Sequence, residues 1–258
     1  MAQNTVSELS ENAEEYYDNI KEQVVKNAKK ATSFKTREAY DDITKSLVKL
    51  RNLNYRIQNT EDITPEVDVI IKELREISQT YRKVATLQSS IGKFRGERLL
   101  ELKETQEKTA KYAELLEVER NRLRDEASFA QERKENEMDE LEKKKLAITI
   151  KAKRCIINAL EGQINIWRSF EKAQDRLINK LVLIGRKVDL LLFTLQTNSK
   201  VYQEVANVTK LRRSAKEAFS NLENLSEMEV LLLEIKNNWD EVDNLVQEIS
   251  THNFNLVM

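Results

Sequence analysis

The chain has 258 residues, 43 Lys+Arg against 44 Asp+Glu, 34% charged and 40% hydrophobic side chains, and only four Gly and one Pro. A sheet-rich fold needs Gly and Pro at most of its turns, so this composition argues against β and α/β architectures and leaves long helices. A net charge of −1 sets up no whole-protein field toward nucleic acid or anionic lipid, so an electrostatic partner must be read by a local patch.

The first residues, MAQNTVSELSENAEEYY, are polar and acidic, with no basic stretch leading into an apolar one, so no secretory signal is read there. Leu9, Ala13, Tyr17, Ile20, Val24, Asn27, Ala31 and Phe34 then recur in steps of three and four, and Ile43, Leu47, Leu50, Asn54 and Ile57 resume the pattern. Both read as helical seams, with Asn27 and Asn54 as polar positions that fix register. Within Asn59–Pro65, Thr64 at a cap and Pro65 at the first helical position predict a helix start. Val67, Ile70, Leu74, Ile77, Tyr81 and Val84 line one face of the helix that follows.

Residues Ser89–Gly96 hold two of the four glycines and predict either a turn or a soft spot in a continuing helix. Gly92-x-x-x-Gly96 is no phosphate loop, because no strand precedes it and no Lys-Ser/Thr follows; a helix break or a close helix contact is expected. From Glu97 to Glu161 there is neither Gly nor Pro. As one helix that run would extend about 98 Å, which implies a rod or a hairpin of rods. Residues 117–146 carry 18 charged side chains out of 30 beside a thin apolar line of Leu123, Ala127, Ala130, Met138 and Leu141. So narrow a stripe suits a two-helix coiled coil or an exposed helix. Between Ile156 and Leu195 the apolar face widens, as where three or more helices meet, and a turn is expected at Thr197-Asn198-Ser199. The last helices carry Val201, Val205, Val208 and Leu211, then Phe219, Leu222, Leu225, Met228, Leu232, Ile235, Trp239, Val242, Leu245 and Ile249.

These elements predict an all-α fold: an elongated helical bundle with long coiled-coil helices. It reads as a single domain over 1–258, with a thick bundle from 1–100 and 155–258 and a thinner charged coiled-coil stalk at about 105–150.

Little in the sequence carries chemistry. The one cysteine, Cys155, is expected to be a small buried hydrophobe. The one histidine, His252, falls in a tail expected to fray, which would deny a catalytic base its rigid surroundings. Glu248 precedes it by four residues, so the Glu-x-x-His pairs of di-iron bundles are missing. Trp167, Phe170 and Trp239 sit on apolar helical faces and are expected in the core. Asn207-Val208-Thr209 and Asn224-Leu225-Ser226 match the glycosylation pattern but lack a secretion signal. The most apolar window, 177–195, includes Lys180, Arg186, Lys187 and Asp189 and is not a spanning helix. We therefore expect no catalytic residues, metal, cofactor or small-molecule substrate, and a cytoplasmic protein that is not an enzyme.

One stretch stands apart. In residues 143–154, Lys143, Lys144, Lys145, Lys151, Lys153 and Arg154 surround Leu146, Ile148 and Ile150. Cationic amphipathic helices of this kind rest on anionic lipid, giving peripheral membrane contact. The alternative is that these charges pair with the acidic run Glu135, Glu137, Asp139, Glu140 and Glu142 of a partner helix, or sit in water. No aromatic lies between Phe129 and Trp167, so nucleic acid finds no stacking platform.

The length and run of long helices resemble membrane-binding dimers of the BAR kind, which would turn the basic patch to lipid. Residues 222–249, LENLSEMEVLLLEIKNNWDEVDNLVQEI, resemble the last helix of α-helical pore-forming toxins of the cytolysin A kind, which implies a membrane-acting component. Residues 189–206, DLLLFTLQTNSKVYQEVA, are similar to the toxic-anion-resistance family of bacterial helical proteins, from which no function is carried across. The first expectation is nonetheless a non-enzymatic structural or protein–protein interaction protein. It would act by coiled-coil packing on a helical partner or on copies of itself; a membrane-acting protein is the alternative.

Overall fold

A computed structural model describes residues 13–31, 34–59, 67–207, 224–252 and 254. It contains five helices and no strand among the described residues: α1 (Ala13–Ala31), α2 (Phe34–Asn59), α3 (Val67–Asn136), α4 (Glu140–Asn207) and α5 (Asn224–Thr251). The fold is an all-α helical bundle of long helices. Contacts gather the chain into two compact units, one of Met1–Asn27, Glu101–Ile178 and Leu245–Met258, the other of Ala28–Leu100 and Asn179–Asn244. Leu9, Thr64, Pro65, Val208, Leu211, Phe219 and Leu222 lie outside the described residues, as do the side chains of Phe34, Ile57, Val67, Val201, Val205 and Leu225.

The first unit is organised around a helical hairpin. The 65-residue run without Gly or Pro folds back at Glu137–Asp139, between the end of α3 and the start of α4. Side chains replace the missing glycine. Asn136 Nδ2 donates to the Glu132 carbonyl (3.1 Å), folding its side chain back on the last turn of α3. Glu137 Oε1 accepts from the amides of Met138 (3.0 Å) and Asp139 (3.2 Å). Asp139 then caps α4, its Oδ1 accepting from the amides of Leu141 (2.7 Å) and Glu142 (3.4 Å). No residue in the described backbone takes a positive φ.

Beyond the turn the arms meet along Leu116, Leu123, Ala127 and Ala130 of α3 and Ile150, Ile157, Leu160 and Ile164 of α4, all buried. Alanines let the two helices approach closely, and their small area makes the seam narrow. The expected apolar line holds for Leu123, Ala127 and Ala130 but not for Met138 and Leu141, which are 94% and 63% exposed. Met138 lies in the turn itself, and Leu141 falls in the first helical turn on the side away from the seam. Further along, Gln174 Nε2 donates to Thr109 Oγ1 (3.1 Å) and Thr109 Oγ1 to the Thr105 carbonyl (3.0 Å) inside the core. Arg168 pairs with Glu117 (3.0 Å), and Arg124 with Glu161, across the arms. Where the seam widens, Tyr17 of α1, Trp167 and Phe170 of α4 and Ile249 of α5 are fully buried, with Phe254 beside them. Burying one phenylalanine of this kind stabilises the fold by about 2–3 kcal/mol.

The second unit buries Ile43, Leu47, Leu50 and Leu53 of α2 against Ile70, Leu74, Ile77, Tyr81 and Val84 of α3, with Leu181, Ile184, Val188, Leu191 and Leu195 of α4 and Met228, Ile235, Trp239 and Val242 of α5. The wide apolar face read over 156–195 is thus a core stripe, with Ile157 rather than Ile156 buried at its start. Asn27 is buried, whereas at Asn54 the neighbouring Leu53 takes the core position.

Two candidate turns are absent, the first in favour of the continuing helix that is its alternative. α3 runs unbroken through Ser89–Gly96, and a Cβ added at Gly96 would meet nothing within 4 Å, so Gly96 makes neither a break nor a close contact. A lone helical glycine costs only about 1 kcal/mol, which packing on either side outweighs. Likewise α4 continues through Thr197-Asn198-Ser199 to Asn207. Thr197 Oγ1 donates to the Phe193 carbonyl (3.0 Å) and Asn198 Nδ2 to Met228 Sδ (3.4 Å), so these polar groups are satisfied without leaving the helix.

Because the Asp139 side chain caps the N-terminus of α4, Asp139→Ala lowers stability by about 1 kcal/mol in chemical denaturation, while Asp139→Asn retains most of it. Equal losses for both variants would contradict the cap.

Candidate functional site

Three features qualify as candidate sites, each within one unit. The first is the basic stretch 143–154 on the second arm of the hairpin. Lys143 pairs with Glu140 (3.1 Å) and Lys145 with Glu142 (2.6 Å), each one turn back on the same helix. Lys153 reaches across the hairpin to Glu126, and this hydrogen bond holds the Glu126 carboxyl below its usual range. Three of the six charges are therefore matched, by Glu140, Glu142 and Glu126 rather than by the whole acidic run. Lys144, Lys151 and Arg154 are exposed and have no ion pair among the described residues. Ile150 is buried in the seam and Leu146 is half-buried, while Ile148 is 71% exposed.

Cys155 is exposed, not buried as its amphipathic surroundings imply. The apolar run has its buried positions at Ile150, Ile157 and Leu160, which turns Cys155 to the opposite side of α4.

The second feature is His252, which is held rather than frayed. Tyr17 Oη and His252 Nδ1 stand 2.5 Å apart, Lys21 Nζ donates to the His252 carbonyl (3.3 Å), and Ser169 Oγ lies 3.4 Å from Nε2. The ring packs near Tyr17 and Phe170, at centroid distances of 6.1 and 6.0 Å. Nothing at the sequence level pairs residues 235 positions apart, so this anchor was not visible there. Burial, with the Asp18 charge adding to it, pushes the Tyr17 phenol well above its usual range, so the hydroxyl keeps its proton. Nδ1 is its one hydrogen-bond partner among the described residues, so Tyr17 donates to Nδ1. The neutral ring then carries its own proton on Nε2, facing Ser169. In that tautomer His252 gives a hydrogen bond to Ser169 instead of removing its proton. The geometry suits a strap tying the end of α5 to α1 and α4.

The third feature is an open groove of about 640 Å³ between α2 and α5. Leu47, Leu232 and the indole of Trp239, set edge-on to Tyr40 at 4.6 Å, form its floor. Val48 and Leu233 line it at 49% and 60% exposure. Arg51 pairs with Glu229 at one end, and Asp41, Lys236 and Asp240 stand at the other. The expected core role of Trp239 holds, and the sequence pattern missed only that its neighbours on α2 and α5 leave a trough open.

Among the described residues no group of three or more His, Cys, Asp or Glu is placed to hold a metal ion, and no helix is long and apolar enough to cross a membrane. No protein-family model, curated protein or solved structure matches the chain. The surfaces themselves carry the argument.

Burial holds the His252 pKa below the ordinary imidazole value of about 6.5; Glu248 on its own helix opposes this and Lys21 on α1 adds to it. Arg176 of α4, 2.5 Å from Glu248, partly neutralises that carboxylate. An unfolded state that binds the proton more readily means stability is full above about pH 6.5 and falls as pH drops through the folded-state value. Urea unfolding between pH 7.5 and 5.5 should show this loss in the native chain and less of it in His252→Phe. An identical slope in the variant would remove the strap.

Proposed function

We propose that this protein is a non-enzymatic interaction protein that works by helix packing, and that a second copy of the chain covers the groove between α2 and α5. The observation that carries this reading is the groove itself, an apolar floor with charges of both signs at its ends. α2 and α5 run antiparallel there, with Arg51 beside Glu229 and Tyr40 beside Trp239.

The charge order favours a like partner. Glu229 and Lys236 lie one turn to either side of Leu232 and Leu233 on α5, and Arg51 and Asp41 lie to either side of Leu47 and Val48 on α2. A two-fold axis at that level brings Glu229 against Lys236 of the second copy and Arg51 against its Asp41, each contact made twice. Val48 and Leu233 of each copy are then withdrawn from water, at about 25 cal/mol per Å² of apolar surface. Exposed Tyr55 and Val230 extend the same faces. A two-fold contact of this sort is isologous and closes on itself, giving dimers instead of fibres.

Sedimentation equilibrium tests the reading: the native chain should rise with concentration from 30.2 kDa toward twice that mass. Val48→Asp with Leu233→Asp places carboxylates on the groove and should hold the chain monomeric with unchanged helix content. A native chain that stays monomeric at every concentration would overturn the proposal.

A further inference from the structure

We propose that the outer face of the hairpin's second arm, the line Leu141, Lys144, Ile148, Lys151 and Cys155, is a docking surface for an anionic lipid surface. These residues recur at steps of three and four, so they share one side of α4, and all five are exposed. Ile150, Ile157 and Leu160, which make the buried seam, occupy the other side. The line runs about 21 Å along the helix.

Charge complementarity selects the occupant. Residues 143–154 contain six basic and no acidic side chains, although the whole chain has a net charge of −1. The patch is longer than the roughly 8 Å screening length at physiological salt, so a nearby surface responds to it and not to the net charge. Glu140 and Glu142 of the adjoining turn are matched by Lys143 and Lys145, while Asp139 and Glu137 cap amides beyond the Leu141 end of the line. That leaves Lys144 and Lys151 on the line and Arg154 on its flank without ion pairs among the described residues.

The apolar members distinguish lipid from other anions. Leu141 and Ile148, 63% and 71% exposed, alternate with two exposed lysines, a residue type that lays an apolar stem on apolar surface and keeps its charge in water. Such a helix settles into the headgroup boundary, apolar side chains inward and lysines on the phosphates. Nucleic acid would need aromatic rings for stacking, and the line has none. The surface lies in the first unit and is independent of the α2–α5 groove, so each proposal stands or falls alone.

The single cysteine of the chain provides the probe, because it sits on the line and is exposed. The full chain, labelled at Cys155 with a polarity-sensitive fluorophore, is mixed with vesicles of phosphatidylcholine alone or with phosphatidylserine, and unlabelled chain is tested in parallel by co-sedimentation. The expected result is binding only to phosphatidylserine vesicles, weakened by salt, with a blue shift of the label. Lys144→Glu with Lys151→Glu should reduce binding about tenfold or more without loss of helix content. Leu141→Ser with Ile148→Ser should abolish the blue shift. The proposal is overturned by no binding to phosphatidylserine vesicles, by binding that the charge reversals leave unchanged, or by a label that stays in water on bound protein. A label that shifts with protein concentration and rising mass in the absence of vesicles assigns the line to a second copy and also overturns it.

Discussion

The hairpin of the first unit depends on one seam holding two helices in one register. Over its outer part the seam is built largely from Leu123, Ala127 and Ala130 facing Ile150 and Ile157, too little apolar area to resist slippage by itself. Polar contacts supply the specificity. Gln174 Nε2 reaches Thr109 Oγ1 inside the core only when the arms are aligned, and a shifted register would leave that buried amide without its acceptor. The Arg168–Glu117 and Arg124–Glu161 pairs repeat the same alignment at the surface, where they select orientation more than they add stability. The capped turn at Glu137–Asp139 closes the end.

That seam also decides which residues are left for partners. Once Ile150, Ile157 and Leu160 are committed inward, the helical period fixes Leu141, Lys144, Ile148, Lys151 and Cys155 outward. In the second unit the same rule operates on α2 and α5: Leu47 and Trp239 turn inward, and Val48 and Leu233 are left at the rim of the groove. The proposed activities are thus by-products of core packing: faces with apolar residues that the core has no room to bury. Nothing in this scheme calls for a reacting group.

Much of the fold is legible in the sequence because three-and-four spacing reports burial directly. The line Ala13, Tyr17, Ile20, Val24 and the line Ile70, Leu74, Ile77, Tyr81, Val84 are buried as their spacing implies. Turns were harder to read. Gly and Pro are the usual punctuation, yet the helix runs through Gly96, while the fold reverses at a site with neither. The signal there was the Asp139-x-x-Glu142 pattern, a side-chain cap at the head of a helix, hidden among 18 charged residues. Cys155 lies two residues from buried Ile157, which is half a turn of α4, so an amphipathic run alone does not fix its side. His252 is held, not frayed, because its anchors, Tyr17 and Lys21, come from the other end of the chain, and local pattern carries no such information. The groove was illegible for a similar reason: it is made by what two helices fail to cover.

The reversal at Glu137–Asp139 is the claim on which the seam, the outward line and the strap near Trp167 all rest. Spin labels at Asn121 and Asn158, both exposed and on opposite arms, measure it directly in a chain whose Cys155 is replaced by Ser. Helices packed 8–10 Å apart, with the reach of the labels added, give a separation of about 20–30 Å. A continuous helix through the turn would place the same labels about 56 Å apart at 1.5 Å per residue, and that distance would contradict the hairpin.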